Sequence, residues 1–166
     1  MNTEPSMLQQ LQNVAVSALE ADPMFDGTMS ANGQAIPVIT EYKNDIVTQI
    51  ETALGSVGIC AVVVTPLFEL FDELLYPGEL SGWAYPSVNI QEDVPANQSP
   101  SGTQIHAITL ASRVVAVLHC LPTGLTVGDI AESPPRFIGL KRPLVLVGEG
   151  PPLSYQVNFQ AHVTLP

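Results

Sequence analysis

The sequence predicts an α+β fold, with two or three helices packed on one face of a mainly antiparallel sheet. Residues 153–165 alternate strictly between apolar and polar side chains, which is typical of a long strand with one buried face. Residues 59–64 form an unbroken apolar run rich in β-branched side chains, as expected of a strand buried on both faces. Segments at about 4–20 and 103–121 have the apolar spacing of helices. This mixed order of helices and strands indicates an α+β architecture.

Length and composition fit a single domain over residues 1–166, with an N-terminal helix at about 4–20 and a body over about 36–166. Apolar residues make up 46% of the chain and charged residues 13%, which is too apolar for a disordered protein. A domain of this size buries about 70% of its unfolded surface and needs no disulfide or metal to fold. The 15 prolines concentrate between the periodic segments. They predict stiff loops that bind a ligand or contact a neighbouring subunit.

The charge balance argues against a nucleic-acid-binding protein. Five Lys and Arg stand against sixteen Asp and Glu, a net charge of −11, whereas phosphate neutralisation needs clustered cations. The first five residues have neither a basic nor an apolar stretch, so no secretory signal is expected. The longest apolar stretch, 105–121, contains His106, Arg113 and His119 and is too polar for a membrane span. We therefore expect a soluble protein made in the cytoplasm.

Local signals define the elements of the first half of the chain. Thr3 or Ser6 can cap the first helix, and Pro37 places a short strand at a sheet edge or makes it the start of a strand. Gly55 and Gly58 offer a stop for the second helix. In chain order, the predicted elements are a helix at about 4–20, a strand at 36–39, a helix at about 41–54, a strand at 59–64 and either a loop or a short helix over 66–76.

The second half ends in the clearest strand. Ser101 and Gln104 have the spacing of a capping box before an apolar periodic run, and Pro122 with Gly124 ends that helix. The predicted elements are a strand at 79–92, a polar loop at 93–100, a helix at about 103–121, a strand at 143–147, a connection at 148–152 and the strand at 153–165.

The sequence contains no motif that specifies a chemistry. Dinucleotide-binding, phosphate-binding, zinc-protease and serine-hydrolase signatures are all missing. His106 and His119, thirteen residues apart, lie about 140° apart around a helix and cannot share a metal on one face. We interpret them as helix-end or core histidines. Cys60 and Cys120 have apolar neighbours and no close partner, so both are predicted to be small buried hydrophobic residues.

A few charged residues are candidates for function. Glu92 and Asp93 lie at a strand end beside a loop, where catalytic carboxylates often occur, but adjacent strand residues point to opposite faces. Lys141 and Arg142 form the one basic cluster, which is too small for a nucleic-acid footprint. We interpret that cluster as a candidate contact with an acidic patch on a second copy of the chain.

One series of segments resembles a known family. The series consists of a valine-rich strand at 58–66, a strand end at 88–94, Asn97, the tripeptide 101–103, a buried helix ending at 118–119 and the closing strand 153–165. In order and texture it resembles the tail-terminator and minor-tail proteins of long-tailed bacteriophages and prophages, over roughly residues 40–165. Family members tend to follow the loop asparagine with arginine, whereas Gln98 follows it in this chain.

The resemblance implies a non-enzymatic building block without a cofactor. Such an α+β subunit would assemble into a ring that caps the tail tube or joins it to the head. It would be made in the bacterial cytoplasm and end in the virion tail. Its partners would be copies of itself and other tail or head-completion proteins, not nucleic acid or a membrane. A net charge of −11 would suit a bore through which DNA slides without sticking. The candidate subunit-interface or loop contacts are Glu92, Asp93, Asn97, Lys141 and Arg142.

Two other function classes stay open at this point. The chain can be an unrelated binding module, for instance for a small molecule. It can also be a hydrolase or isomerase built around Glu92 or Asp93 with His106 or His162. An enzyme should show a deep pocket with converging polar groups. The gene of a tail component should lie among genes for tape-measure, tube and head-completion proteins.

Overall fold

A five-stranded sheet forms the centre of the protein. The computed structural model describes residues 6–40, 45–70, 80–127, 130–131, 134–142 and 153–165. Within these ranges the helices are α1 (Met7–Glu20), α2 (Ile46–Ser56), α3 (Val94–Asn97) and α4 (Ala107–Leu118). The strands are β1 (Val38–Thr40), β2 (Ile59–Leu70), β3 (Leu80–Glu92), β4 (Thr126–Val127), β5 (Ile130–Ala131), β6 (Arg136–Lys141) and β7 (Leu153–Leu165).

The sheet is mixed but mainly antiparallel, which confirms the α+β prediction. Its strand order is β1-β2-β3-β7-β6, and β4 and β5 form a separate two-stranded ribbon. Only β1 and β2 run parallel; the β2–β3, β3–β7 and β6–β7 pairs are antiparallel. The predicted strand at 153–165 is β7, and the side chains of Val157, Phe159, Ala161 and Val163 are buried on its core face as the alternation indicates. None of the helices in the described part of the chain is long and apolar enough to cross a membrane.

The helices cover both faces of the sheet. Helices α1 and α4 lie on one face, where Leu19, Leu110 and Val114 join the main core with side chains of β2, β3 and β7. Helix α2 lies on the other face, where Ala53 contacts a smaller cluster that includes Cys60. The prediction of helices on one face therefore holds for α1 and α4, while α2 covers the second face. The reason is that β2 is apolar on both faces, so both need cover.

The N-terminal elements follow their local signals closely. Ser6, one of the two predicted caps, accepts a hydrogen bond from the Gln9 backbone N–H, while the Gln9 side chain accepts from the Ser6 backbone N–H. Strand β1 begins directly after Pro37 and lies at a sheet edge. Helix α2 continues through Gly55 to Ser56, and Gly58 follows with a φ of +84°. The predicted helix start at 41–44 lies outside the described residues.

Strand β2 is longer than predicted. It runs to Leu70, so residues 66–70 are strand and not a loop or a short helix. A register shift between Val64 and Leu67 places Pro66 at an irregularity of the ladder, where the missing N–H of proline is tolerated. Residues 71–79 lie outside the described part of the chain.

The segment between β3 and α4 departs most from the prediction. The supposed polar loop contains the short helix α3, and the long helix begins at Ala107 with His106 as its N-cap, not near residue 103. The predicted capping box is wrong, because Gln104 has a φ of +59° and does not cap a helix. Helix α4 ends at Leu118, three residues before the predicted end.

Two further predictions concern the C-terminal third. The strand and connection expected at 143–152 lie outside the described residues, and the described partners of β7 are β3 and β6. Cys60 is buried as predicted, but Cys120 is exposed, with a φ of +59°. Its backbone N–H donates to the Pro135 carbonyl just after α4 ends. The local chain reversal therefore turns the Cys120 side chain away from the core that its apolar neighbours suggested.

Candidate functional site

A buried carboxylate lies where β3 meets the N-terminus of α4. Glu92 is 0% exposed. Its Oε1 accepts hydrogen bonds from Asn97 Nδ2 at 2.7 Å and Gln98 Nε2 at 3.2 Å, and its Oε2 accepts from the Ala107 backbone N–H at 2.8 Å. An anion at this position also complements the positive end of the helix dipole. Glu92 thereby fixes the first turn of α4 on the end of β3.

Asn97 organises the irregular chain between α3 and α4. Its Nδ2 also donates to the Ile105 carbonyl at 2.8 Å, and its Oδ1 accepts from Thr103 Oγ1. The Asn97 carbonyl accepts from the Gln104 backbone N–H at 3.0 Å. Asn97 is 0% exposed, so all these bonds are formed away from water. The side chain therefore acts as the internal template on which residues 103–105 fold.

Two glycines make room for Asn97. A Cβ on Gly58 would lie 2.3 Å from the Asn97 nitrogen, and a Cβ on Gly102 would lie 2.1 Å from the Asn97 carbonyl oxygen. Neither position tolerates a larger residue without a shift of the backbone. This enclosure was not predicted, although Gly58 and Gly102 both belong to the segments that carry the family resemblance.

The five candidate contact residues fall into two separate groups. Glu92, Asp93 and Asn97 lie together, and Asp93 is half-buried and accepts a hydrogen bond from the Ala96 N–H as the N-cap of α3. The contacts of the buried Glu92 and Asn97 side chains are internal to the subunit. Lys141 and Arg142 are exposed at the end of β6, two strands away from β3 in the sheet. Only this second group presents charged side chains fully to the surface.

Among the described residues, His106 is the histidine that lies close to one of the candidate carboxylates. His106 Nδ1 lies 3.6 Å from Glu92 Oε1, and the His106 side chain is 58% exposed while that of Glu92 is buried. His162 lies instead at the other end of β3, edge-on to Trp83 with ring centroids 6.1 Å apart. His119 caps the C-terminus of α4, and its Nδ1 accepts the Phe137 N–H at 3.0 Å. His106 and His119 are thus helix-end residues, as predicted.

The described residues hold no group of three or more His, Cys, Asp or Glu side chains that could bind a metal.

Helix α2 covers the second face of the sheet over β1 and β2, but no helix among the described residues covers β3, β7 and β6 on that face. Its surface is mostly polar and uncharged on β7, as the alternation predicts. Tyr85 donates a hydrogen bond to Glu69 Oε2 at 2.8 Å across β2 and β3. Leu67 and Trp83 add apolar area and are 74% and 36% exposed. Uncovered area of this kind on a sheet is a candidate contact surface.

A cleft of about 640 Å³ runs beside β1, between the segment that leads into it and helix α2. We call it the acidic cleft. Its wall contains the carboxylates of Glu20, Asp26 and Asp45 and no basic residue of the described chain. The other residues that line the cleft are Phe25, Ala35, Ile36, Pro37, Val38, Ile39, Thr48, Gln49, Thr52, Ala53 and Ser56.

The few cations are unevenly placed. Arg113 on α4 binds Asp22 through Nε at 3.0 Å and Nη2 at 2.7 Å. The guanidinium holds the pKa of Asp22 below its ordinary value. The other described cations are exposed: Arg136 and Lys141 begin and end β6, and Arg142 follows directly after it. No carboxylate of the described residues lies within ion-pair distance of these three.

Comparison with known proteins finds a solved structure with a similar fold. No protein-family model matches the sequence, and no curated protein matches it. Among solved structures, the chain is similar to a chain described as "Virion of native gene transfer agent (GTA) particle". The two share 13% sequence identity with a TM-score of 0.56, over 93% of this chain and 94% of the other. At this identity the likeness shows a common fold along nearly the whole of both chains.

Proposed function

We propose that the protein is a structural subunit of a phage or prophage tail, a tail-terminator or head–tail joining protein that assembles into a ring. The observation that carries this proposal is the end-to-end likeness to a chain of a gene transfer agent virion, over 93% of one chain and 94% of the other. It agrees in kind with the resemblance to tail proteins that extends over roughly residues 40–165. A fold alone does not fix a function, so the surfaces of the subunit must supply the rest.

The surfaces support a role in assembly over a role in catalysis. Both oxygens of Glu92 are occupied by hydrogen bonds inside the subunit, so this carboxylate is poorly suited to exchange protons with a substrate. His162, the other candidate partner, is remote from it. On the face that α2 covers over β1 and β2, no described helix covers β3, β7 and β6, and the two edges of the sheet carry different charges. A subunit that meets its neighbours through different surfaces can close into a ring.

The proposal includes a location and a set of partners. The protein is made in the bacterial cytoplasm and becomes part of the virion tail, where it binds copies of itself and tail or head-completion proteins. We expect it to use no cofactor and to recognise no nucleic acid directly, since five Lys and Arg stand against sixteen Asp and Glu. A separate prediction is that acidic residues line a bore for DNA, and a structure of the assembled ring tests it.

Deletion of the gene tests the function directly. A ring that caps the tube stops the addition of further tube subunits, so the deletion should give overlong tube-like structures or heads without attached tails. The wild-type gene in trans should restore normal particles. A useful matched control is complementation by Ser17→Ala, a change at an exposed position of α1. Particles of normal length and infectivity after the deletion would contradict the proposal.

A further inference from the structure

The two edges of the sheet carry opposite charge. Among the described strands, β1 lies at one edge and β6 at the other, and each pairs with a neighbour on one side only. Unpaired strand edges bind other strands unless the protein covers or blunts them. Beside β1 lies the acidic cleft with its three carboxylates. Along β6 lie Arg136, Lys141 and Arg142, which have no carboxylate partner among the described residues.

The β6 edge also has apolar side chains between its cations. Ile138 is 53% exposed and Leu140 is 40% exposed. The N–H of Phe137 is already bound by His119, so the part of β6 that lacks a second neighbour among the described residues begins at Ile138. We define the basic edge as Arg136, Ile138, Leu140, Lys141 and Arg142. Its two exposed apolar side chains lie between Arg136 and the Lys141–Arg142 pair, and such a mixture of cationic and apolar groups suits contact with another protein.

The acidic cleft offers the complementary groups. Phe25, Ile36 and Pro37 provide an apolar lining, and the carboxylates stand around it. A chain with net charge −11 repels its own copies over most of its surface. Contact between copies is then favoured only where a cationic patch meets an acidic one, and the basic edge is the one such patch among the described residues.

We propose that the basic edge of one copy binds in the acidic cleft beside β1 of the next copy. This inference rests on the proposed ring-forming function and specifies which surfaces meet. The two surfaces lie at opposite edges of one sheet, so the contact is head-to-tail. In a pair of copies, one copy keeps a free acidic cleft and the other keeps a free basic edge. Repetition of such a contact closes a ring when the rotation between copies allows it. The β6 segment adds to the side of β1 that has no strand neighbour among the described residues, as peptides do in strand addition.

Charge reversal on each surface tests this pairing. One variant carries Arg136→Glu and Lys141→Glu, and a second carries Glu20→Lys and Asp45→Lys. All four positions are exposed, so the fold should be kept, which circular dichroism and urea unfolding verify. Self-association is measured by sedimentation velocity over a concentration series at low ionic strength. We expect the wild type to associate, more weakly as salt is added, and each variant to associate at least about tenfold more weakly.

Recombining the variants makes the test specific. An equimolar mixture should associate as strongly as the wild type, because each reversed edge meets a reversed cleft and each native edge meets a native cleft. A chain with all four substitutions keeps the net charge of −11 and should also associate with itself. Glu51→Lys is the control on α2, because it changes the charge at an exposed position that does not line the cleft; it should leave the association unchanged.

Three results would overturn the inference. They are a wild type that stays monomeric throughout the series, single-surface variants that associate like the wild type, and a mixture that fails to recover. None of these bears on whether the chain is part of a particle, which mass spectrometry of purified particles decides separately. Wild-type chain found in particles together with a failed charge exchange would refute this interface and leave the proposed function standing.

Discussion

Asn97 holds together the junction between β3 and α4, and its removal should be costly. In Asn97→Ala, the buried Glu92 carboxylate, the Ile105 carbonyl and the Thr103 hydroxyl each lose a partner. A buried polar group left without a partner costs about 1–3 kcal/mol. Because Gln98 still donates to Glu92, we expect an overall loss of about 4 kcal/mol, a large part of the stability of a domain this size.

Urea unfolding followed by circular dichroism measures this loss. The matched control is Gln98→Ala, which removes two long hydrogen bonds near the surface, of 3.2 Å to Glu92 and 3.3 Å to His106, and should cost about 1 kcal/mol or less. Asn97→Asp adds a second test. Its carboxylate faces Glu92 in a buried site, so its pKa should rise, and the variant should regain stability as pH falls below neutral. A loss below about 1 kcal/mol in Asn97→Ala would refute the assigned role.

Three further predictions concern other parts of the structure. Gly58→Ala should destabilise the protein by about 2–3 kcal/mol in urea unfolding, because of the positive φ and the backbone that its Cβ would meet; a neutral effect would contradict the close approach. A thiol reagent should modify Cys120 rapidly and Cys60 only on unfolding, since burial raises the pKa of Cys60 to about 12; equal rates would show that Cys60 is accessible. Arg113→Met should cost about 1–2 kcal/mol at neutral pH, because it removes the partner of Asp22. The folded pKa of Asp22 lies below 3.8, so this difference should be full above that pH and shrink as pH falls through the folded pKa; parallel pH profiles of the two proteins would argue against the pair.

The parts of the fold that sequence predicts are those determined by local periodicity. The alternation in 153–165 identifies β7 with its bounds and buried face, because every second side chain must meet the same core. Ser6 and Gln9 identify the start of α1 because their two hydrogen bonds are formed within four residues. Such signals do not depend on distant parts of the chain.

Contacts between distant residues explain the failures. Ser101 and Gln104 have the spacing of a helix cap, but the Asn97 side chain holds residues 103–105 in a different conformation. Strand β6 shows no clear alternation, because a register shift between Phe137 and Gly139 interrupts it. The side of the sheet that α2 covers depends on which apolar face remains free after α1 and α4 have packed. No local pattern contains that information.

The candidate site shows the same contrast between what local sequence signals predict and what depends on contacts between distant residues. The sequence identifies Glu92, Asp93, Asn97, Lys141 and Arg142 as candidates from their types and neighbours, but not which of them are buried. Gly58 and Gly102, which are remote in sequence from each other, enclose Asn97, and the Asn97 side chain and the Ala107 N–H in turn hold the buried Glu92. The acidic cleft was not predicted, because its carboxylates come from three separate segments.

Electron microscopy of purified particles, with a gold-labelled antibody against this chain, tests the central claim most directly. The particles are taken from the bacterial strain that encodes the protein, and the gene-deletion strain provides the control. The account predicts label at a single position at the end of the tail where tube and head meet. Particles of normal form that carry no label, with the chain found only in the soluble cell fraction, would contradict it.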